Sequence, residues 1–169
     1  HLAHKPAYKK HLARIQNGRA DPAQFTLPSH GFAFVDHHTK VRDFFDEDEV
    51  RSVYYPETEA LIAAHSGGAN RVLVFDHTLR TAEQARQQAD RVRKAVYSVH
   101  NDYTERSARQ RLRDLVGDEE AEELMKGRFA IMNVWRGNRQ TIENMPLAFA
   151  DERTIDPNDL LPVERRSDD

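Results

Sequence analysis

The sequence predicts a mainly β domain with flanking helices, an α+β class, on three observations. Short apolar runs such as "RVLVF" (71–75) and the alternating "RFAIMNVWRG" (128–137) have the length and composition of strands. Helix-start signals stand between such runs, at Asp46, Thr81 and Thr104. Strands and helices do not follow the regular βαβ order of a doubly wound sheet, and neither GxGxxG nor a P-loop occurs. A mostly antiparallel β core with helices packed outside satisfies all three. The 169 residues are enough for one core, so residues 1–169 read as a single domain.

The elements follow in order. Residues 1–28 are polar and punctuated by Gly18, Pro22 and Pro28, which suits an arm or loop with one short strand near 13–19. "GFAFVDHH" (31–38) alternates and predicts a strand. Asp46 with Glu49 three residues later forms a capping-box pattern for a short helix. Pro56 suits the first turn of a next helix, which Gly67 and Gly68 stop. "RVLVF" is the expected buried strand. Thr81 and Gln84 cap a helix over 82–93, with Ala85, Ala89 and Val92 in helical period. "AVYSVH" (95–100) is a further strand. Thr104 opens a helix with Ala108, Leu112, Leu115 and Val116 on one face, and Gly117 ends it. "DEEAEELMKG" is a short helix ending at Gly127. In the strand 128–137, Phe129, Ile131, Asn133 and Trp135 share one face, and Ala130, Met132, Val134 and Arg136 the other. Strand 145–151 and a loop-like tail close the chain.

Composition excludes several classes. The chain has 25 basic and 28 acidic side chains, so no overall basic excess points to nucleic acid. No apolar run approaches the roughly 20 residues of a membrane span, and no signal-peptide pattern opens the chain. Neither a nucleic acid nor a membrane is expected as partner. Cysteine is absent, which excludes disulfides, thiolate metal sites and cysteine nucleophiles. That fits a reducing compartment, and a cytoplasmic location is expected. Nine histidines lower the weight of any single one.

Four polar groups carry candidate chemistry. His100 and Asp102 stand two apart on a predicted strand end, so both side chains reach one face. Two such ligands are the local half of the two-histidine, one-carboxylate set that holds iron(II). The plain alternative is a polar strand exit whose Asp102 caps the next helix. Asp76, His77 and Arg80 leave the strongest strand. They suit either a substrate or co-substrate contact, or a turn with an ordinary ion pair. Asn133 shares a face with large apolar groups, so it belongs to a structural network or lines a wet pocket. Arg136 suits a bidentate carboxylate contact or, more simply, a surface ion pair. The adjacent His37 and His38 point to opposite strand faces and read as surface residues. Arg106, Arg109, Arg111 and Arg113 read as the balance to "DEEAEE".

Taken in order, "RVLVFDHTLR" (71–80), "SVHNDYT" (98–104), "FAIMNVWR" (129–136), "MPLAFAD" (145–151) and "DLLP" (159–162) resemble one family, as does the segment 30–62. It is the non-haem iron(II)/2-oxoglutarate-dependent hydroxylase/desaturase family, which includes fungal gibberellin desaturase-like enzymes and a protein associated with cephalosporin methoxylation. The resemblance runs from about Ile15 to Arg166. It implies a double-stranded β-helix (jelly-roll) core, iron(II) as metal and 2-oxoglutarate as co-substrate. It implies hydroxylation or desaturation of a small-molecule metabolite. His100 and Asp102 match the first two iron ligands. Tyr103 belongs to the same motif. His77, Arg80, Asn133 and Arg136 match recurrent positions and are expected at the substrate or co-substrate. The family also uses a distal histidine and a basic residue for the 2-oxoglutarate carboxylate. No histidine follows His100, and the chain does not begin with Met. A longer natural protein, with the rest of the β core beyond Asp169, is the expectation favoured over a third ligand from upstream or a degenerate site. Two rivals stand beside this reading. One is a non-catalytic jelly-roll binding protein, and the other is a metal enzyme that does not use 2-oxoglutarate.

Overall fold

The computed structural model describes residues 12–80, 92–93, 98–138, 141–142 and 146–163. The chain opens with short 3-10 turns at Gly18–Ala20 and Pro22–Gln24, where the sequence suggested a strand. A single turn, α1 (Leu27–His30), follows. It packs against a 3-10 turn at Glu152–Thr154 near the other end of the chain.

Gly31 ends α1 with a left-handed φ of 77°. That conformation crowds a Cβ against the carbonyl in any L-residue. A Cβ there would also lie 3.2 Å from Oε2 of Glu152. Gly67 has the same φ of 77° with nothing within 4 Å of its would-be Cβ. Gly31→Ala is expected to lower the unfolding free energy by about 1–2 kcal/mol, and by more than Gly67→Ala. Urea unfolding of the two variants measures the difference. Equal losses would mean that the contact with Glu152 carries no weight.

The central element is one helical run from Glu47 to His65. It consists of α2 (Glu47–Glu49), a π-helical stretch (Val50–Tyr54) and α3 (Tyr55–His65). The sequence suggested two helices parted at Pro56. The π stretch explains why they fuse. Proline brings no N–H and its ring crowds the carbonyl four residues back. The wider π turn, in which the Tyr55 N–H donates to the Val50 carbonyl, accommodates it. Asp46 caps the start, accepting from the amides of Asp48 (3.0 Å) and Glu49 (3.1 Å). Glu49 does not complete the capping box. Its carboxylate turns to the preceding loop and accepts from the amides of Arg42 (3.0 Å) and Asp43 (2.9 Å). Those two amides hold its pKa below the ordinary carboxylate value.

Downstream, α4 (Glu105–Val116) and α5 (Asp118–Leu124) form a helical hairpin turning at Gly117, φ 85°. Thr104 caps α4 in a full capping box with Ser107, so Asp102 is not the cap. Ala121 of α5 is fully buried. The expected charge balance is present as Arg113–Glu122 at 2.7 Å, while Arg109 pairs within its own helix with Glu105 at 2.9 Å. The hairpin meets the segment 71–78 in two places. Arg111 lies over the Phe75 ring at 4.7 Å, and Arg71 pairs with Glu120.

The segments 32–41, 71–78 and 128–138 run without regular secondary structure. Burial alternates over 32–34, 71–74 and 128–131, but Asn133 and Trp135 are exposed, so the expected inward face of 128–137 ends at Ile131. Phe32 and Phe34 are half-buried while Phe149, Phe25 and His30 ring them. Phe129 and Ile131 likewise turn inward. Leu73 is 44% exposed, so "RVLVF" is covered on one face only. The one ladder among the described residues joins β1 (Leu79–Arg80) to β2 (Val92–Arg93) in parallel, with Leu79 opposite Val92. Val92 and Arg93 are thus extended where the sequence suggested a helix end. The rest of that expected helix, residues 95–97 of strand 95–100 and residue 145 of the last strand lie outside the described residues. Buried apolar side chains are few among those described: Val50, Tyr55 and Ala121. No helix among the described residues is long and apolar enough to cross a membrane.

Candidate metal centre

The non-helical segment before α4 brings His100 and Asp102 together. Nδ1 of His100 lies 2.9 Å from the carbonyl oxygen of Ser98. A carbonyl only accepts, so Nδ1 carries a proton, and in the neutral imidazole Nε2 is the nitrogen with the lone pair. Nε2 faces Oδ1 of Asp102 at 3.4 Å. Two lone-pair donors in that position repel each other unless a proton or a cation lies between them. Nitrogen and carboxylate ligands sit about 2.0–2.2 Å from a divalent transition ion, which puts neighbouring octahedral ligands roughly 3 Å apart. The observed separation is close to that spacing, and the imidazole–carboxylate donor set suits iron(II). Nearly half of each side chain is exposed, so an ion can reach both.

Asp102 is tied on its far side. Its Oδ2 accepts from Nδ2 of Asn133 at 2.9 Å, across 31 residues of sequence. A cleft of about 460 Å³ opens here, lined by Asp102 and Asn133. Tyr103, Met125, Phe129 and Ile131 give it an apolar wall, and Arg128 and the Arg109–Glu105 pair add charged groups. Among the described residues no group of three or more His, Cys, Asp or Glu side chains converges on one point.

The other predicted site residues stand in separate groups. His77 is 13% exposed, its Nδ1 2.9 Å from the Tyr55 hydroxyl and its Nε2 3.2 Å from a Glu47 carboxylate oxygen. Arg80 is on β1. Arg136 donates to the His37 carbonyl at 2.8 Å and lies 5.7 Å from the Tyr54 ring centroid. It therefore joins the segment 32–41 to the π stretch rather than forming the simple surface ion pair. Beside it, Glu57 accepts from the Thr39 hydroxyl (2.5 Å) and the Lys40 amide (2.9 Å). Burial works against that carboxylate. The two donors outweigh it, His37 and Arg136 add to them, and its pKa lies below the ordinary value.

The structure thus brings His100, Asp102 and Asn133 into contact and places Tyr103 in the same cleft. His77 stands instead with Tyr55 and Glu47, and Arg136 with His37. Sequence reasoning missed the Ser98 carbonyl, Tyr55 and the half-buried His37. Of these only Ser98 had a signal, its place two residues before His100.

The family model described as an oxidoreductase/YMDC permease-like domain matches residues 3–169. The chain belongs to this family. Similar curated proteins agree with the resemblance read from the sequence. Against an oxidoreductase of Emericella nidulans, this chain is 32% identical over 92% of its length and 54% of the relative's. It is 34% identical to a hydroxylase/desaturase of Cercospora beticola, over 91% of this chain and 50% of the other. With an Fe(II)/2-oxoglutarate-dependent dioxygenase of Aspergillus novofumigatus it shares 30% identity, over 90% of this chain and 55% of that one. The chain spans about half the length of the curated relatives it matches.

Proposed function

We propose that this protein carries out an iron(II)- and 2-oxoglutarate-dependent oxidation, a hydroxylation or desaturation, of a small-molecule metabolite. The observation that carries the reading is the convergence of His100 Nε2 and Asp102 Oδ1 at 3.4 Å, with the outer atom of each side chain already engaged. The names of the similar proteins, an Fe(II)/2-oxoglutarate-dependent dioxygenase and a hydroxylase/desaturase, support the same reaction class. A double-stranded β-helix core belongs to the proposal, supported by that family likeness and by the alternating burial of 32–34, 71–74 and 128–131.

Iron(II) with 2-oxoglutarate, when bound, supplies the power to oxidise an unactivated C–H bond. The chain's own residues do the placing. His100 and Asp102 hold the metal, with Ser98 fixing the histidine tautomer. Tyr103, Phe129 and Ile131 give the adjoining cleft the apolar wall that a hydrocarbon portion needs. Arg128 adds positive charge at its edge, where Arg109 is already paired with Glu105.

The test is the visible spectrum of the full-length protein loaded anaerobically with iron(II) and then with 2-oxoglutarate. A weak metal-to-ligand charge-transfer band is expected on adding the co-substrate. Iron binding without the band would remove 2-oxoglutarate from the proposal. A folded protein that binds no iron would end it in favour of a binding domain.

A further inference from the structure

We infer that Asn133 is a positioning residue for the metal centre, its amide holding Asp102 so that a single carboxylate oxygen is presented beside His100. This rests on the iron-site reading above. The carboxylate of Asp102 is about half exposed, and its two oxygens are chemically equivalent until something tells them apart. Asn133 does so. By donating to Oδ2 at 2.9 Å it fixes the rotation of the carboxyl group and leaves Oδ1 turned toward Nε2.

The chemistry of the amide suits the task. A lysine or arginine donor would bring a positive charge against an incoming cation. An aspartate would repel Asp102. The neutral amide orients the ligand and leaves the negative charge of the site intact. Its backbone is steadied by the neighbouring Phe129 and Ile131, both half-buried. This assigns Asn133 to Asp102, in place of the contact with substrate or co-substrate that the family likeness suggested.

Cobalt(II) titration of the full-length protein provides the test, because cobalt is stable in air and its visible spectrum reports ligand geometry. Asn133→Ala is expected to weaken cobalt binding by about 10- to 100-fold, the usual cost of losing an outer-shell partner. Its visible spectrum should also change. The metal-free variant should unfold at the wild-type temperature, since Asn133 is exposed. Asn133→Gln, with the same amide, should recover part of the affinity. Wild-type affinity in Asn133→Ala would overturn the inference and leave the iron site standing. A fall in metal-free stability matching the loss of affinity, without recovery in the glutamine variant, would overturn it as well. A folded wild type that binds no cobalt would remove the iron-site reading and this inference together.

Discussion

Asp102→Ala is expected to abolish iron(II) binding and to reduce 2-oxoglutarate turnover to background. Asp102 brings the negative charge of the pair and one of its two facing donor atoms. Losing an outer-shell partner already costs about 10- to 100-fold in metal affinity, so losing a ligand with its charge should exceed the upper figure. His100→Ala should act similarly, with the loss of the imidazole nitrogen. Both side chains are substantially exposed, so neither substitution opens a cavity or strands a buried group. The metal-free variants should therefore keep the wild-type circular dichroism and unfolding temperature. Equilibrium binding of iron(II) under nitrogen, read beside succinate formation, checks this directly. An Asp102→Ala protein that still binds iron at wild-type affinity would show that the ligands lie elsewhere in the protein.

Val50→Asp is expected to cause the largest loss of stability. Val50 is 1% exposed and sits where α2 passes into the π stretch. A lone carboxylate there has no partner, and stranding a buried charge costs on the order of 3–5 kcal/mol. That is a large part of the roughly 5–15 kcal/mol by which domains are stable. Val50→Ala removes two methyl groups and should cost only about 2 kcal/mol. Thermal unfolding by circular dichroism separates the two: a lowered cooperative transition for alanine, and no folded baseline at 37 °C for aspartate. The Asp variant should also lose the neighbouring contacts of Tyr54 and Tyr55, and with them the seats of Arg136 and His77. A Val50→Asp protein with wild-type thermal stability would contradict the burial of this position.

What was legible in the sequence was what the sequence encodes over a few residues. The Thr104 cap, the turn at Gly117 and the end near Gly127 depend on neighbours within one helical turn. The His100–Asp102 pair was legible because an extended segment puts side chains two apart on one face. Glu49 shows where local reasoning stops. Its spacing from Asp46 suited a capping box, but amides six and seven residues back offered better partners. The Arg136–His37 contact joins residues 99 apart, and the Asn133–Asp102 bond residues 31 apart. No periodicity announces such pairs, since they arise from how segments dock. The π stretch was missed for a similar reason. Pro56 reads as a helix start, and only the fused helix shows that a widened turn takes it up.

The two halves of the proposed metal centre differ in origin. The tautomer of His100 is chosen by Ser98, within a single tripeptide, and that choice can be made before any tertiary structure exists. The aim of Asp102 depends on Asn133, which arrives only when the segment 128–138 has docked. One ligand is therefore prefabricated and the other is assembled. A nascent chain would offer a ready imidazole but an undirected carboxylate, too weak a grip to retain a metal on the way to the native state. On the proposed iron site, metal uptake is then expected to follow docking, and a bound ion would return its binding energy to the docked arrangement.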